Sequence, residues 1–391
     1  MTILLLIIIY LAFISLGLPD SLLGTAWPVM QQELGAPLET AGVISMIISV
    51  GTILSSLISG RLLKRYGTGN VTFVSVLMTA IALLGFFLAP SVPWLIIWAI
   101  PLGLGAGAID TGLNDYVALN YEAHHMSWLH SFWGIGATLG PIIMSQFIME
   151  SNAWRSGYFS IAMIQFALAV ILFLTLPLWK KVNNQDASQL NDAVEAEAIS
   201  AQVINPLRIR GVVFALLTFL FYTGIELGVG LWGSSFLVEI KGLNPATAAR
   251  WISFYYAGIT IGRFLTGFIT FRVTNKTLIR AGQLMALIGA LLLILPLSPV
   301  VLAMSFVMIG LGFAPVFPGM IHETPARFGK EHSTILIGYQ MAAAYTGTTL
   351  LPPLIGFIAS YLTIGIFPIA AVILISGMLL STEKLNRMIK A

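Results

Sequence analysis

The chain has 391 residues, of which 58% are hydrophobic and only 9% charged, and its mean hydropathy is +0.92. A soluble domain carries about 25% charged residues, so this composition describes a polytopic membrane protein. Cysteine is absent, which excludes disulfides, thiolate metal sites and cysteine nucleophiles together.

Apolar runs of about 20 residues recur from end to end, each long enough to cross a ~30 Å hydrocarbon core as a helix. Twelve are expected, at 3–29, 39–60, 70–89, 93–120, 128–149 and 155–179, then at 210–238, 246–270, 277–297, 299–321, 333–360 and 363–381. The first has no Lys or Arg before it and outruns a signal-peptide core, so it reads as a retained helix. The net charge of +3 and the pI near 9.1 report topology and not nucleic-acid binding. Fifteen basic residues fall in joints on one side, among them Arg61, Lys64, Arg65, Arg210, Arg272, Arg327 and Arg387, against Arg155, Lys241 and Arg250 on the other. The positive-inside rule then puts both termini in the cytoplasm.

A constant shift of 207 residues superposes the halves: Gly17 falls on Gly224, Gly35 on Gly242, Gly60 on Gly267, Arg65 on Arg272, Gly103 on Gly310 and Gly105 on Gly312. The expectation is an all-α membrane protein of twelve transmembrane helices in two six-helix bundles, 1–179 and 210–391, in the same orientation. A cytoplasmic linker, 180–209, joins them and holds the polar stretch NNQDASQLNDAVEAEA, a short surface helix or a disordered segment.

That parallel repeat resembles the major facilitator superfamily, and so do particular residues. Gly60-Arg-Leu62-Leu-Lys64-Arg65-Tyr-Gly67 is similar to the family's loop motif Gly-x-Leu-x-Asp-Arg-x-Gly, departing at Lys64, where the family has an acid. A degenerate copy ending in Arg272 follows span 8, and Gly310-Leu-Gly312-Phe-Ala-Pro315-Val-Phe-Pro318 looks like span 10. Three further stretches resemble the fucose-proton symporter branch: Leu18-Pro19-Asp20 with Gln31-Gln32, Asp110-Thr111 with Asn114, and Leu129-His130-Ser131-Phe132 with Gly134 and Gly136. Asp110 replaces the longer Glu of that branch, and Asp115 its proline. The resemblance implies a proton-coupled sugar carrier, with Gly60, Arg65, Gly67 and Arg272 in structural or gating roles.

A charge in mid-membrane costs about 2.5–3.5 kcal/mol or more, so each one is a functional candidate. Asp110 and Asn114, spaced i, i+4, share a helix face with Gly103 and Gly107. Asp110, Asp20 and Glu226 are the candidate proton-coupling acids; the alternatives are a structural Asp110 that pairs with Arg263 or caps a helix end, an Asp20 that satisfies donors freed by Pro19, and an outer polar contact for Glu226. Helix rise places Asp20 and Glu226 toward the outer half and Asp110 and Arg263 toward the inner, as two polar layers. A permanently charged guanidinium cannot cycle a proton, so Arg263 reads as an ion-pair partner.

Asn114, Gln146, Gln165, Gln283, Gln340 and Tyr345 fall inside spans as candidate substrate hydrogen-bonders, although bonding between helices is the commoner use of a membrane Gln. Trp27, Trp133 and Trp232 are candidate platforms for a sugar ring, while Trp94 and Trp154 suit the interfacial belt. Gly136-x-x-x-Gly140-Pro141 resembles the motif of drug-proton antiporters, which leaves a proton-driven exporter open beside a symporter or uniporter. No catalytic triad, nucleotide loop or complete zinc set is present, so neither enzyme activity, cofactor nor metal is expected. The expected partners are a small solute, most simply a sugar, protons and the lipid bilayer. The expected location is the cell membrane, and twelve helices in one chain make a working monomer the expected form.

Overall fold

Backbone amides in apolar surroundings must bond within their own segment, and the long apolar runs are helical throughout. The computed structural model describes residues 2–121, 123–151, 153–186 and 208–389, and no strand occurs among them. The first half contains α1 (Thr2–Asp20), α2 (Leu22–Leu34), α3 (Thr40–Tyr66), α4 (Thr68–Leu88), α5 (Val92–Asn120), α6 (Ala123–Ser151) and α7 (Trp154–Asp186). The second contains α8 (Val212–Glu239), α9 (Pro245–Ile269), α10 (Asn275–Ile294), α11 (Pro299–Phe313), α12 (Val316–Phe328), α13 (Lys330–Tyr361) and α14 (Phe367–Met388). Helices α1 with α2, and α11 with α12, each make one broken span.

Eleven spans among the described residues are long and apolar enough to cross a membrane. The twelfth expected span is α9, which falls short on composition because it carries Arg250, Trp251, Tyr255, Tyr256 and Arg263. Its 25 residues still reach about 37 Å, and Tyr255 and Tyr256 are buried against neighbours. Helix α6 begins before the expected residue 128 and α7 runs on past 179 to Asp186, because apolar content marks the lipid-facing length and not the hydrogen-bonded one. Residues 187–207, most of the expected linker, lie outside the described residues.

The break in the first span follows from Pro19. Without an N–H it leaves the carbonyl of Ser15 unpaired within the helix. Gln165 of α7 donates its Nε2 to that oxygen at 2.8 Å and accepts from Thr79 Oγ1 of α4 at 2.7 Å. One side chain thus repairs α1 and ties three helices.

The internal repeat reappears as repeated packing. A Cβ on Gly103 of α5 would stand 2.2 Å from the carbonyl oxygen of Ile48, and one on Gly310 of α11 would stand 2.1 Å from that of Tyr255. Positions 48 and 255 differ by the same 207 residues, so α5 crosses α3 as α11 crosses α9. Within the first half α1 also packs on α6 and α4 on α7; within the second α8 packs on α13 and α14. The halves meet through α6 on α9, α3 on α13 and α2 on α8.

At the end that carries Arg155, Lys241 and Arg250 the halves are closed on each other. Ser234 Oγ donates to the carbonyl of Thr25 at 3.3 Å, and Gly24 lies against the backbone of Gly230 and Leu231. Trp154 is fully buried there and donates to Glu33 at 2.5 Å, with Arg155 paired to the same carboxylate and stacked on the indole. It is a clamp between α2 and α7 and not the belt anchor expected, whereas Trp94 is exposed. At the opposite end Gly67, at φ +79°, turns α3 into α4, and its N–H caps the carbonyl of Leu63 at 2.8 Å.

Replacing Gly310 with Leu should lower stability by roughly 1–3 kcal/mol or prevent folding, since the new carbon has no space. Gly267→Ala, where an added Cβ meets nothing within 4 Å, should leave the protein as stable or more so. Thermal unfolding of the detergent-purified variants compares the two.

Candidate functional site

Helix α1 lies close enough to α6 that a Cβ on Gly17 would stand 2.1 Å from the carbonyl oxygen of Trp133. That approach brings the Trp133 side chain to the end of α1, where its Nε1–H donates to Asp20 Oδ2 at 2.7 Å. Asp20 is exposed although it lies deep within the first span. It sits at the helix break, between the closed contacts at the Arg155 end and the basic end of the molecule.

The other face of Trp133 belongs to the second half. Arg263 Cζ lies 5.3 Å from the ring centroid, and Tyr256 meets the ring edge-on at 6.4 Å. Arg263 Nη2 is 3.2 Å from Glu226 Oε1, with only 16% and 18% of the two side chains accessible. Tyr255 donates its hydroxyl to the Glu226 carbonyl at 2.9 Å, and the buried Tyr222 hydroxyl, one turn before Glu226, faces the Glu226–Arg263 pair. Asp20, Trp133, Arg263 and Glu226 therefore form one continuous chain of contacts across the interface between the halves.

This geometry corrects two expectations. Glu226 and Arg263 are not in separate polar layers, because the long arginine side chain reaches back along its helix to the acid. The partner of Arg263 is Glu226 and not Asp110. Asp110 is instead half-buried on α5, where Asn114 Nδ2 donates to its Oδ1 and to its backbone carbonyl, both at 2.9 Å. The face of α5 that carries both continues the glycine seam against α3, where Thr52 donates to the Gly103 carbonyl at 3.2 Å. Tyr345 of α13 reaches Ser56 on α3, the helix that bears this seam.

Several expected substrate contacts are occupied between helices. Gln165 braces α1 as described. Gln283 is buried and donates to Thr382 Oγ1 at 2.8 Å, and Gln340 is buried and exchanges hydrogen bonds with Thr324 at 2.9 and 3.1 Å. Trp232 is fully buried, with Nε1 donating to the Pro352 carbonyl at 2.7 Å, so its ring faces no open space. Buried amides take the nearest partner, and helix packing supplied one in each case. Gln146 is exposed on α6. His130 is half-buried with its ring edge-on to Phe13 at 5.9 Å.

Gly60, Arg65, Gly67 and Arg272 lie at the ends of α3 and α9, away from the Trp133 contacts along their helices; Arg65 stacks on Tyr66 at 5.3 Å. Tyr256 and Thr260 escaped the sequence reading, although Tyr256, Thr260 and Arg263 follow the i, i+4, i+7 spacing of one helix face. Among the described residues no cluster of three or more His, Asp or Glu could hold a metal.

Arg263→Gln should be strongly destabilising, by about 3–5 kcal/mol, because it leaves the Glu226 carboxylate unpaired. Adding Glu226→Gln should recover a large part of that loss, and unfolding midpoints of both single variants and the double variant measure the recovery.

The family model described as Major Facilitator Superfamily matches residues 9–334. The glucose/mannose transporter GlcP of Bacillus subtilis (strain 168) is 26% identical over 380 residues, covering 94% of this chain and 92% of that one. Among solved structures, a mutant of the nucleoside transporter NupG aligns with a TM-score of 0.74 at 15% identity, over 98% of this chain and 99% of that one. The D-xylose-proton symporter aligns with a TM-score of 0.71 at 17% identity, over 96% of each chain. At these identities the structural likenesses speak for the fold alone.

Proposed function

The chain belongs to the major facilitator superfamily, a multi-pass membrane transporter and not an enzyme, and on that basis we propose that it carries a sugar across the cell membrane by proton symport. The observation that carries the coupling part of this reading is the exposed Asp20 carboxylate at the break of the first span, bonded to the Trp133 indole on which Arg263 of the other half rests.

While Asp20 is charged, its hydrogen bond from Trp133 is charge-assisted and holds the indole beneath the guanidinium. Protonation removes that charge, weakens the bond and lets α6 and α9 separate at Trp133. It also lowers the cost of passing through a closed state in which the acid loses its water. Glu226 is already neutralised by Arg263 and serves as the fixed end of the chain. Asp110, braced by Asn114 alone, is the second acid that a proton could visit.

Support for a sugar comes from the GlcP relative and from the groups near the interface. Asn114 and Tyr345 offer hydrogen-bonding groups to hydroxyls, and Trp133 with Tyr256 offers an aromatic surface. With the outer contacts closed and Asp20 exposed, the conformation is one open toward the basic, cytoplasmic side, with both termini on that side and one chain sufficient as a monomer.

Purified protein in liposomes should accumulate labelled glucose under an inward proton gradient and acidify the lumen as it does so. Asp20→Asn should cut uphill accumulation by at least about tenfold while leaving sugar counterflow in place, as expected when the coupling ion is lost but the two states remain. Proton movement opposite to the sugar would turn the reading to antiport, and sugar flux indifferent to pH would reduce it to uniport. Trp133→Phe keeps the ring under Arg263 and removes its N–H, so the ratio of protons to sugar should fall while binding persists.

A further inference from the structure

At the basic end of the second half, four helix termini frame an open pocket of about 800 Å3, lined by Ile209, Arg210, Arg327, Phe328, His332, Arg387, Met388 and Ile389. Two left-handed glycines build it. Gly329, at φ +91°, ends α12 and starts α13, which sets Arg327 and His332 on the same wall. Gly211, at φ +90°, opens α8 with Arg210 just ahead of it and packs on Leu385 and Ile389 of the last helix.

The positive charge in this cavity is only partly compensated. Arg327 is 92% buried by its side chain and uses Nε on Glu323 at 3.0 Å, yet its Nη1 is buried with no hydrogen-bond partner. The other nearby carboxylate, Glu383, is held by both Nε and Nη2 of Arg280 at 2.6 and 2.5 Å. Among the described residues no carboxylate forms an ion pair with Arg210 or Arg387. The orphaned guanidinium nitrogen of Arg327, the exposed Arg210 and Arg387, and His332 in the first turn of α13 thus converge on one space.

We propose that this cavity binds an organic phosphate. Planar guanidinium forks match the oxygens of a tetrahedral dianion. A bare phosphate ion would leave most of 800 Å3 empty, whereas Ile209, Phe328, Met388 and Ile389 give the organic part an apolar wall. The phosphate can belong to a lipid headgroup, since the cavity lies at the ends of membrane spans, or to a soluble metabolite. Its occupation ties the start of α8 to the ends of α12 and α14, and holds whether or not the transported solute is a sugar.

The test uses the full chain in nanodiscs and reads the midpoint of thermal unfolding. Phosphatidylglycerol doped into phosphatidylcholine is the lipid arm, glycerol 3-phosphate added to pure phosphatidylcholine discs is the soluble arm, and glycerol is the control without phosphate. Stabilisation in the first arm alone assigns a headgroup, and stabilisation by glycerol 3-phosphate assigns a soluble ligand. In either case Arg210→Gln with Arg387→Gln, both exposed and safe for folding, should weaken apparent affinity by at least about tenfold, and added salt should do the same. Arg61→Gln with Lys64→Gln, on the first half, should change nothing. The proposal is overturned if neither probe stabilises the protein, or if the Arg210/Arg387 variant responds like wild type or no more weakly than the Arg61/Lys64 control.

Discussion

A carboxylate buried in a membrane protein survives only where donors or water replace what it has lost, and the hydrogen bond from Trp133 to Asp20 is where that constraint organises this molecule. Asp20 has one strong donor and an open approach. Glu226 has an arginine at 3.2 Å and little access. The same requirement, met in two ways a few side chains apart, leaves one acid open to solvent and encloses the other in an ion pair at the interface.

Polar groups elsewhere serve the helices themselves. Pro19 breaks the first span beside Asp20, and Gln165 takes up the carbonyl that the proline leaves behind. Thr79 completes that amide, and Gln283 with Thr382 and Gln340 with Thr324 make comparable braces in the second half. The helix break at Asp20 is therefore held by a buried scaffold of ordinary amide and hydroxyl pairs. This is why so many in-span glutamines are unavailable to a substrate.

The architecture was legible because it rests on local chemistry: apolar length marks a span, and a fixed offset between glycines marks a repeat. Gly103 and Gly310 were readable for that reason, and each meets the equivalent carbonyl of its own half. Partner choice was not legible in the same way. The pairing of Arg263 with Glu226 depends on how α9 leans on α8 and how far a flexible side chain reaches, neither of which is written in spacing along the chain. Trp154 and Trp94 show the same limit. Both are tryptophans near helix ends, yet only contact with Glu33 from a distant segment makes one a clamp. Tyr256 was within reach of periodicity, since it shares a helical face with Arg263.

The interruption at Ser21 divides the first span into two pieces with different allegiances. Helix α1 rests on α6 of its own half, while α2 lies chiefly along α8 of the other, through Gly24 on Gly230 and the Ser234 hydrogen bond. The packing border between the two halves thus runs through a single span and not through the long polar joint that separates them in sequence. Each piece of that span is therefore shaped by a different neighbour, and Asp20 stands at the joint where the two packings meet.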